Sequence, residues 1–305
     1  MNWLRENNQQ VIRIIGSILA VVLLVFLLRG QNSEEMLFAL KRVSLGYFLL
    51  AVVSLFISRL FTTLRWHVLL KSAGVEISFF RSLILTFTGL FASNFLPTTI
   101  GGDVVRLGGA MQMGYDRAIT LASLIVDRLI GMVGMFLALP FGIGTALSFN
   151  PDSLHTITIA SFHQKMIGFI KNTVNAFRIW LHKPFSLISS LLFTIGNMAF
   201  IFLTLYILII GIDRFVSYWL IAGIWSLTYF ITLIPVSING FGIQELSITV
   251  LLVEAGGLSH AESLTIAVLI RAIFIITSLP GAFSFPSILA SINKQETSNN
   301  TSSNV

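Results

Sequence analysis

Seven polar side chains in an apolar chain carry most of its chemical potential: Asp103, Arg106, Asp127, Arg128, Gln244, Glu245 and Arg271. A guanidinium is permanently charged and forks onto phosphate or carboxylate. Arg128 and Arg271 each lie deep inside a run of hydrophobic residues. At the centre of a membrane helix an arginine costs roughly 2.5–3.5 kcal/mol, so it is kept for a partner or for a task. The types and spacing predict a charged vestibule in which Arg128 and Arg271 attract an anion, phosphate above all, while the acids tune them. The alternative is a set of buried ion pairs joining helices. Asp127 and Arg128 are adjacent, and neighbours on a helix point about 100° apart. Asp127 is therefore expected to reach a different helix. A carboxylate enzyme built on Asp103, Asp127 and Glu245 remains a second reading.

These residues follow two interruptions of the apolar pattern, "PTTIGGDVVRLGG" from Pro97 and "PVSINGFGIQELS" from Pro235. Proline removes a backbone donor, and glycine supplies positive φ. Pro97, Gly101 and Gly102, and Pro235, Asn239, Gly240 and Gly242, are therefore expected to break helices. In lipid each unpaired backbone group costs several kcal/mol, so a break survives only against protein or a wet cavity. Helices starting after Gly102 and after Gly240 would turn their positive ends toward such a cavity.

The elements that must hold these breaks are membrane helices. The chain has 305 residues, 55% hydrophobic and 10% charged, with a mean hydropathy of +0.88. Soluble domains carry about 25% charged residues. Apolar runs cover Ile14–Leu28, Leu45–Leu70, Ser82–Leu96, Ala118–Phe149, Phe185–Gly211, Phe215–Ile234, Leu246–Val253 and Ala261–Leu289. They predict an all-α, polytopic transmembrane bundle of about seven spans plus short broken or re-entrant segments. It would form one transmembrane domain over residues 1–292, with a disordered polar tail over 293–305. The run at Ile14–Leu28 has no small-x-small cleavage site and is expected to stay as a span. Over 155–182 apolar residues recur every three or four positions, with Lys165, Lys171 and Arg178 between them. That pattern, with Trp180, predicts a basic amphipathic helix in the headgroup layer. Arg59 and Arg65 carry less weight, since Arg65, beside Trp66 and His67, could snorkel to an interface. Gly134, Ala138 and Gly142 form a small-residue ladder for close helix packing.

The two broken segments also resemble each other. With Pro97 set on Pro235, Thr99 meets Ser237, Ile100 meets Ile238 and Gly102 meets Gly240. With five extra residues in the second copy, Gly114 meets Gly257, Ala118 meets Ala261 and Arg128 meets Arg271. A Leu-Pro pair follows each arginine, at Leu139-Pro140 and Leu279-Pro280. Duplicated units over about 82–149 and 215–289 are a habit of transporter folds. Counting Lys and Arg in short loops favours a full crossing by 82–97, which makes the copies inverted. Its fifteen residues span only about 22 Å, so a re-entrant hairpin is the competing topology.

Other chemistry is poorly represented. There is no cysteine, which rules out thiolate sites. The five histidines form no metal-binding spacing, and no P-loop, G-x-S-x-G or G-x-G-x-x-G motif occurs. No cofactor, metal or nucleic-acid partner is expected. The net charge of +6 fits loops lying beside anionic lipid headgroups.

"NFLPTTIGGDVVR" with "ASLIVDRLIGM", and "PVSINGFGIQE" with "LIRAIFIITSLPG", resemble the membrane region of the lysylphosphatidylglycerol synthases, the flippase-like or UPF0104-type family; "LRWHVLLKSAG" is similar to its second-span signature. The resemblance covers about Arg65 to Gly281. It implies that Pro97, Gly101, Gly102, Asp103, Arg106, Asp127 and Arg128, and Gly240, Gly242, Glu245 and Arg271, serve a lipid site. Asn239 stands where the family more often has glycine, and Gln244 where it more often has arginine. In full-length relatives an aminoacyltransferase domain follows, which loads lysine from tRNA onto phosphatidylglycerol, and the membrane region moves the product between leaflets. The chain ends at Val305 without room for that domain, so the expectation is the flippase-like half, in the plasma membrane, with an anionic or phosphate-bearing lipid as ligand. Stand-alone relatives are associated with polyprenyl-linked sugars, so the resemblance leaves the lipid open. Two alternatives stand beside it: a membrane-embedded transferase acting on a polyprenyl-linked sugar, or a non-catalytic subunit partnered by a separately encoded soluble transferase.

Overall fold

A computed structural model describes residues 39–96, 100–141, 180, 183–233 and 238–288. The expected first span over 14–28, Pro97, Pro235, Gly142, the amphipathic stretch 155–182 apart from Trp180, and the tail 293–305 lie outside them. The described residues form eight α-helices of twelve residues or more: α1 (Leu45–Ser72), α2 (Phe79–Ser93), α3 (Gly101–Gln112), α4 (Arg117–Ala138), α5 (Pro184–Ile210), α6 (Tyr218–Thr232), α7 (Ile243–Glu254) and α8 (His260–Ser278).

Local chemistry sets the boundaries. Side-chain caps start four helices: Ser44 accepts from the Tyr47 N–H, Ser78 from Arg81, Asp116 from Ile119 and Ser259 from Glu262. Each fills one of the orphan donors of a helix start. Pro184 opens α5 at its first turn, where its missing N–H costs nothing.

Among the described residues, four helical segments are long and apolar enough to cross a membrane: α1, α4, α5, and α8 extended by a 3₁₀ turn to Phe283. α2 and α6 have fifteen residues each, and α3 and α7 twelve. At 1.5 Å per residue these reach about 22 and 18 Å, short of the roughly 30 Å hydrocarbon core. Large apolar side chains such as Leu49, Leu50 and Val53 on α1 and Ile188, Leu192 and Ile195 on α5 face outward. In lipid this is the solvated surface, whereas in water it would be an aggregation hazard.

α1 and α5 run antiparallel and are joined by hydroxyls. Ser54 donates to the Phe200 carbonyl at 2.9 Å, Ser58 to Asn197 Oδ1 at 2.6 Å, and Ser190 to the Arg65 carbonyl at 3.5 Å. Gly134 lets α4 close on α5: a Cβ there would lie 2.5 Å from Thr194 Cγ2. Trp180 was expected at the interface. It is fully buried, with its indole N–H on the Leu69 carbonyl and Ser72 Oγ at the end of α1.

α2 and α3 form a tight antiparallel hairpin. A Cβ on Gly102 would meet the Gly89 carbonyl oxygen at 2.4 Å, and one on Gly109 would meet Leu85 Cδ2 at 2.5 Å. The chain thus returns along itself between α2 and α3. The first break also works differently from expectation. Gly101 and Gly102 lie inside α3 without positive φ, and glycine there provides space for close approach. The second break does use left-handed backbone, at Asn239 (φ 47°), Gly240 (φ 72°) and Gly242 (φ 80°).

The two units share an element plan, α2–α3–α4 and α6–α7–α8, with lengths of 15, 12 and 22 residues against 15, 12 and 19. Gly114 and Gly257, both with positive φ, precede the third helix of each unit by three residues. Arg128 and Arg271 are each the twelfth residue of that helix. Asp103 and Glu245 are each the third residue of the second helix. The proline-anchored alignment instead sets Asp103 opposite Phe241. The structural register differs by four residues because α3 begins four residues after Pro97 and α7 eight after Pro235.

Candidate functional site

A cavity of about 320 Å³ lies between the helices, and each of the eight contributes to its wall. Ser93 and Gly102, flanking the first break, and Thr232 and Gln244, flanking the second, all line it. Helix ends flanking both interruptions therefore meet one space between the helices. Trp225 and Phe274, stacked with centroids 5.7 Å apart, supply an apolar part of the wall.

The charged part is a chain of four guanidiniums and two carboxylates. Arg65 of α1 donates from Nε to Asp127 Oδ1 at 2.7 Å. Arg106 of α3 donates from Nη1 to Asp127 Oδ2 at 3.4 Å and to Asp103 Oδ1 at 3.1 Å. Arg128 of α4 donates from Nε to Asp103 Oδ2. Arg59 of α1 completes the set, with its Cζ 4.5 Å from the Phe274 ring centroid. Asp127 does reach other helices, as its angle from Arg128 required. Asp127 is 2% exposed and Arg106 7%, so these charges depend on one another rather than on solvent.

Local packing positions each group. Bare Gly131 leaves room for Arg65: a Cβ there would lie 3.0 Å from its Nη1. Trp66 is fully buried, donates to Ser123 Oγ at 3.0 Å and offers its ring to Arg106, whose Cζ is 4.0 Å from the centroid. The snorkelling expected of Arg65 and Trp66 is therefore incorrect. Both face inward, because an acid on α4 waits for Arg65. Arg59 and Arg65 are the wall residues that sequence reasoning underrated. Arg59, Thr62 and Arg65 are spaced three apart on α1, but residues six apart point about 120° from each other, and the spacing names no acid on α4.

Of the expected site residues, Asp103, Arg106, Asp127, Arg128 and Gln244 line the cavity, together with Gly102. Glu245 and Arg271 stand outside that wall and hold each other. Arg271 donates from Nε to Glu245 Oε1 and from Nη2 to the Gly240 carbonyl at 3.3 Å, with its Cζ 4.4 Å from the Phe241 ring centroid. Glu245 Oε2 accepts the Gly242 N–H at 2.7 Å. The positive end of α7 is thus met by the protein's own carboxylate. Glu245 does not share a site with Asp103 and Asp127, and Arg106 lies between those two.

Some capacity in the wall remains unused. Seven buried side-chain nitrogen and oxygen atoms have no partner among the described residues, and five belong to cavity residues: Arg59 Nε, Arg106 Nε and Nη2, Thr86 Oγ1 and Thr228 Oγ1. An unmade bond at such an atom costs about 1–3 kcal/mol.

Helices of this length and outward apolarity around a polar interior define a polytopic α-helical membrane protein. Its sequence matches the model of the family described as lysylphosphatidylglycerol synthase TM region over residues 13–158 and 153–281, and the chain belongs to that family. It is similar to UPF0104 membrane proteins of three archaea. Identity is 27% over 121 residues to that of Pyrococcus horikoshii, covering 38% of this chain and 36% of the relative. It is 30% over 149 residues to that of Methanothermobacter thermautotrophicus, covering 48% and 40%. It is 24% over 126 residues to that of Archaeoglobus fulgidus, covering 41% and 38%. The matches thus span about two fifths of these relatives' lengths.

Proposed function

We propose that the protein binds the phosphate-bearing headgroup of a lipid in this cavity and carries it between the leaflets of the cell membrane. The observation that carries the reading is a set of buried guanidinium and hydroxyl atoms without partners among the described residues, on a cavity lined by the helix ends that flank both breaks. Arginine forks match phosphate oxygens. The volume suits a headgroup and not whole acyl chains, being near the lower end of ligand pockets at about 300–1,000 Å³. The chains would stay in lipid, so only the polar part crosses inside protein. Membership of a family named for a lipid synthase's membrane region supports a lipid as ligand.

The test is leaflet exchange of fluorescent phospholipids in liposomes containing the purified protein. Exchange above protein-free vesicles, lost in Arg106→Gln and Arg128→Gln variants that elute as folded protein, is the expected result. Unchanged exchange in both variants refutes the reading. A new covalent lipid species in the mass spectrum would assign a transferase instead.

A further inference from the structure

Resting on that reading, we infer that the cavity takes a phosphate monoester, carrying two negative charges at its end, in preference to a monoanionic diester or a headgroup bearing an amine. The argument is charge balance among guanidiniums held between the helices. Among the described residues the wall holds Arg59, Arg65, Arg106 and Arg128 against Asp103 and Asp127. Arg65 is matched by Asp127, and Arg128 by Asp103. Arg106 shares both of those carboxylates and brings none of its own. Arg59 has no carboxylate within 4 Å among the described residues. Among the described residues two positive charges are left over.

The free donors belong to the same two residues. Among the described residues, Arg106, 7% exposed, has Nε and Nη2 without partners, and Arg59 has Nε. Thr86 and Thr228, each 1% exposed, add unpartnered hydroxyls. Uncompensated charge in a low-dielectric interior is strongly unfavourable, so the guest with the best balance carries both missing negatives. A terminal phosphate has a second pKa near 6 and is mostly dianionic at neutral pH, with three acceptor oxygens. A diester carries one charge and leaves one guanidinium uncompensated. An ammonium on the headgroup would add to the excess and is disfavoured.

The contrast with the second unit supports this assignment. There one arginine meets one carboxylate, and that carboxylate also takes the helix-terminal N–H. Charge balance is complete without a guest. In the cavity α1 adds Arg59 and Arg65 to the first unit's two arginines and two carboxylates, and the surplus arises there.

The experiment titrates the purified 305-residue chain in neutral detergent and reads the shift in Tm. The probes are short-chain phosphatidate, phosphatidylglycerol, phosphatidylcholine, lysylated phosphatidylglycerol and inorganic phosphate. Phosphatidate is expected to bind about tenfold tighter than phosphatidylglycerol, one charge-assisted contact's worth. Phosphatidylcholine and the lysylated lipid should bind more weakly still. The preference should vanish at about pH 5, where the monoester is a monoanion. Arg59→Gln should abolish it and Arg59→Lys should retain part of it; neither leaves a carboxylate unpaired, so both should fold. Equal binding of phosphatidate and phosphatidylglycerol, both weakened by Arg59→Gln, overturns the charge assignment and leaves phosphate-lipid binding standing. Indifference of every lipid to Arg59→Gln and Arg106→Gln overturns both. Inorganic phosphate bound as tightly as phosphatidate supports the dianion and overturns the lipid as its source.

Discussion

Arg65 and Asp127 are 62 residues apart in the chain and 2.7 Å apart in space, on α1 and α4. With Arg106 on Asp127's other oxygen, the carboxylate fastens three helices. Breaking a buried pair by removing one member costs about 3–5 kcal/mol, because the remaining charge stays buried. Asp127→Asn is therefore expected to lower unfolding free energy by that amount in denaturant titrations of the detergent-solubilised protein. Removing both charges should hurt less: Arg65→Met with Asp127→Leu should be more stable than Asp127→Asn alone. A double variant as unstable as the sum of the single variants would refute the pair as the joint.

Arg128 and Arg271 occupy the same position in their helices and should respond differently. Arg128 has a side chain 30% exposed and lines the cavity. Arg271, 10% exposed, is enclosed with Glu245, 4% exposed. Arg271→Gln leaves that carboxylate buried with only the Gly242 N–H and should cost about 3–5 kcal/mol. Arg128→Gln should be milder in stability while lowering leaflet exchange by about tenfold or more. Comparing Tm with exchange rate in the two variants checks this. Equal stability losses would mean that the repeat carries one structural joint twice.

The same duplication shows how far the sequence could be read. Most helix positions followed from hydropathy: seven of the eight described helices begin within three residues of the start of an apolar run, because lipid demands such runs, whereas α3 falls between two of them. The polar residues of the first unit were legible by type, since a buried charge has few other excuses. Arg59 and Arg65 were not, because nothing local names a partner that lies 62 residues away, and snorkelling explained Arg65 equally well. The repeat was visible, but its register was not. Proline marks where a helix ends, whereas the acid–arginine pair depends on where the next helix begins, and the two units differ there by four residues. Gln244 was placed with Glu245 by adjacency. On a helix, adjacency separates them, and only Gln244 reaches the cavity wall.

Glycine at the breaks offers a last discrimination, because one residue type does two jobs. At Gly114 the backbone is left-handed (φ 84°) and nothing lies within 4 Å of an added Cβ. Gly114→Ala should cost only the conformational term, about 1–2 kcal/mol. At Gly102 the backbone is helical and alanine is intrinsically favoured. An added methyl would nevertheless sit 2.2 Å from Ser93 Oγ and 2.4 Å from the Gly89 carbonyl oxygen, and backbone cannot rotate aside. Overpacking typically costs about 1–3 kcal/mol, and here it must push α3 off α2. Because Gly102 and Ser93 also line the cavity, that displacement should move Asp103 and Arg106 as well. Gly102→Ala is thus expected to lose both stability and leaflet exchange, whereas Gly114→Ala loses stability alone. Ser93→Ala with Gly102→Ala removes the closer of the two contacts and should recover part of both. If Gly102→Ala is silent in Tm and in exchange, the hairpin does not hold the wall.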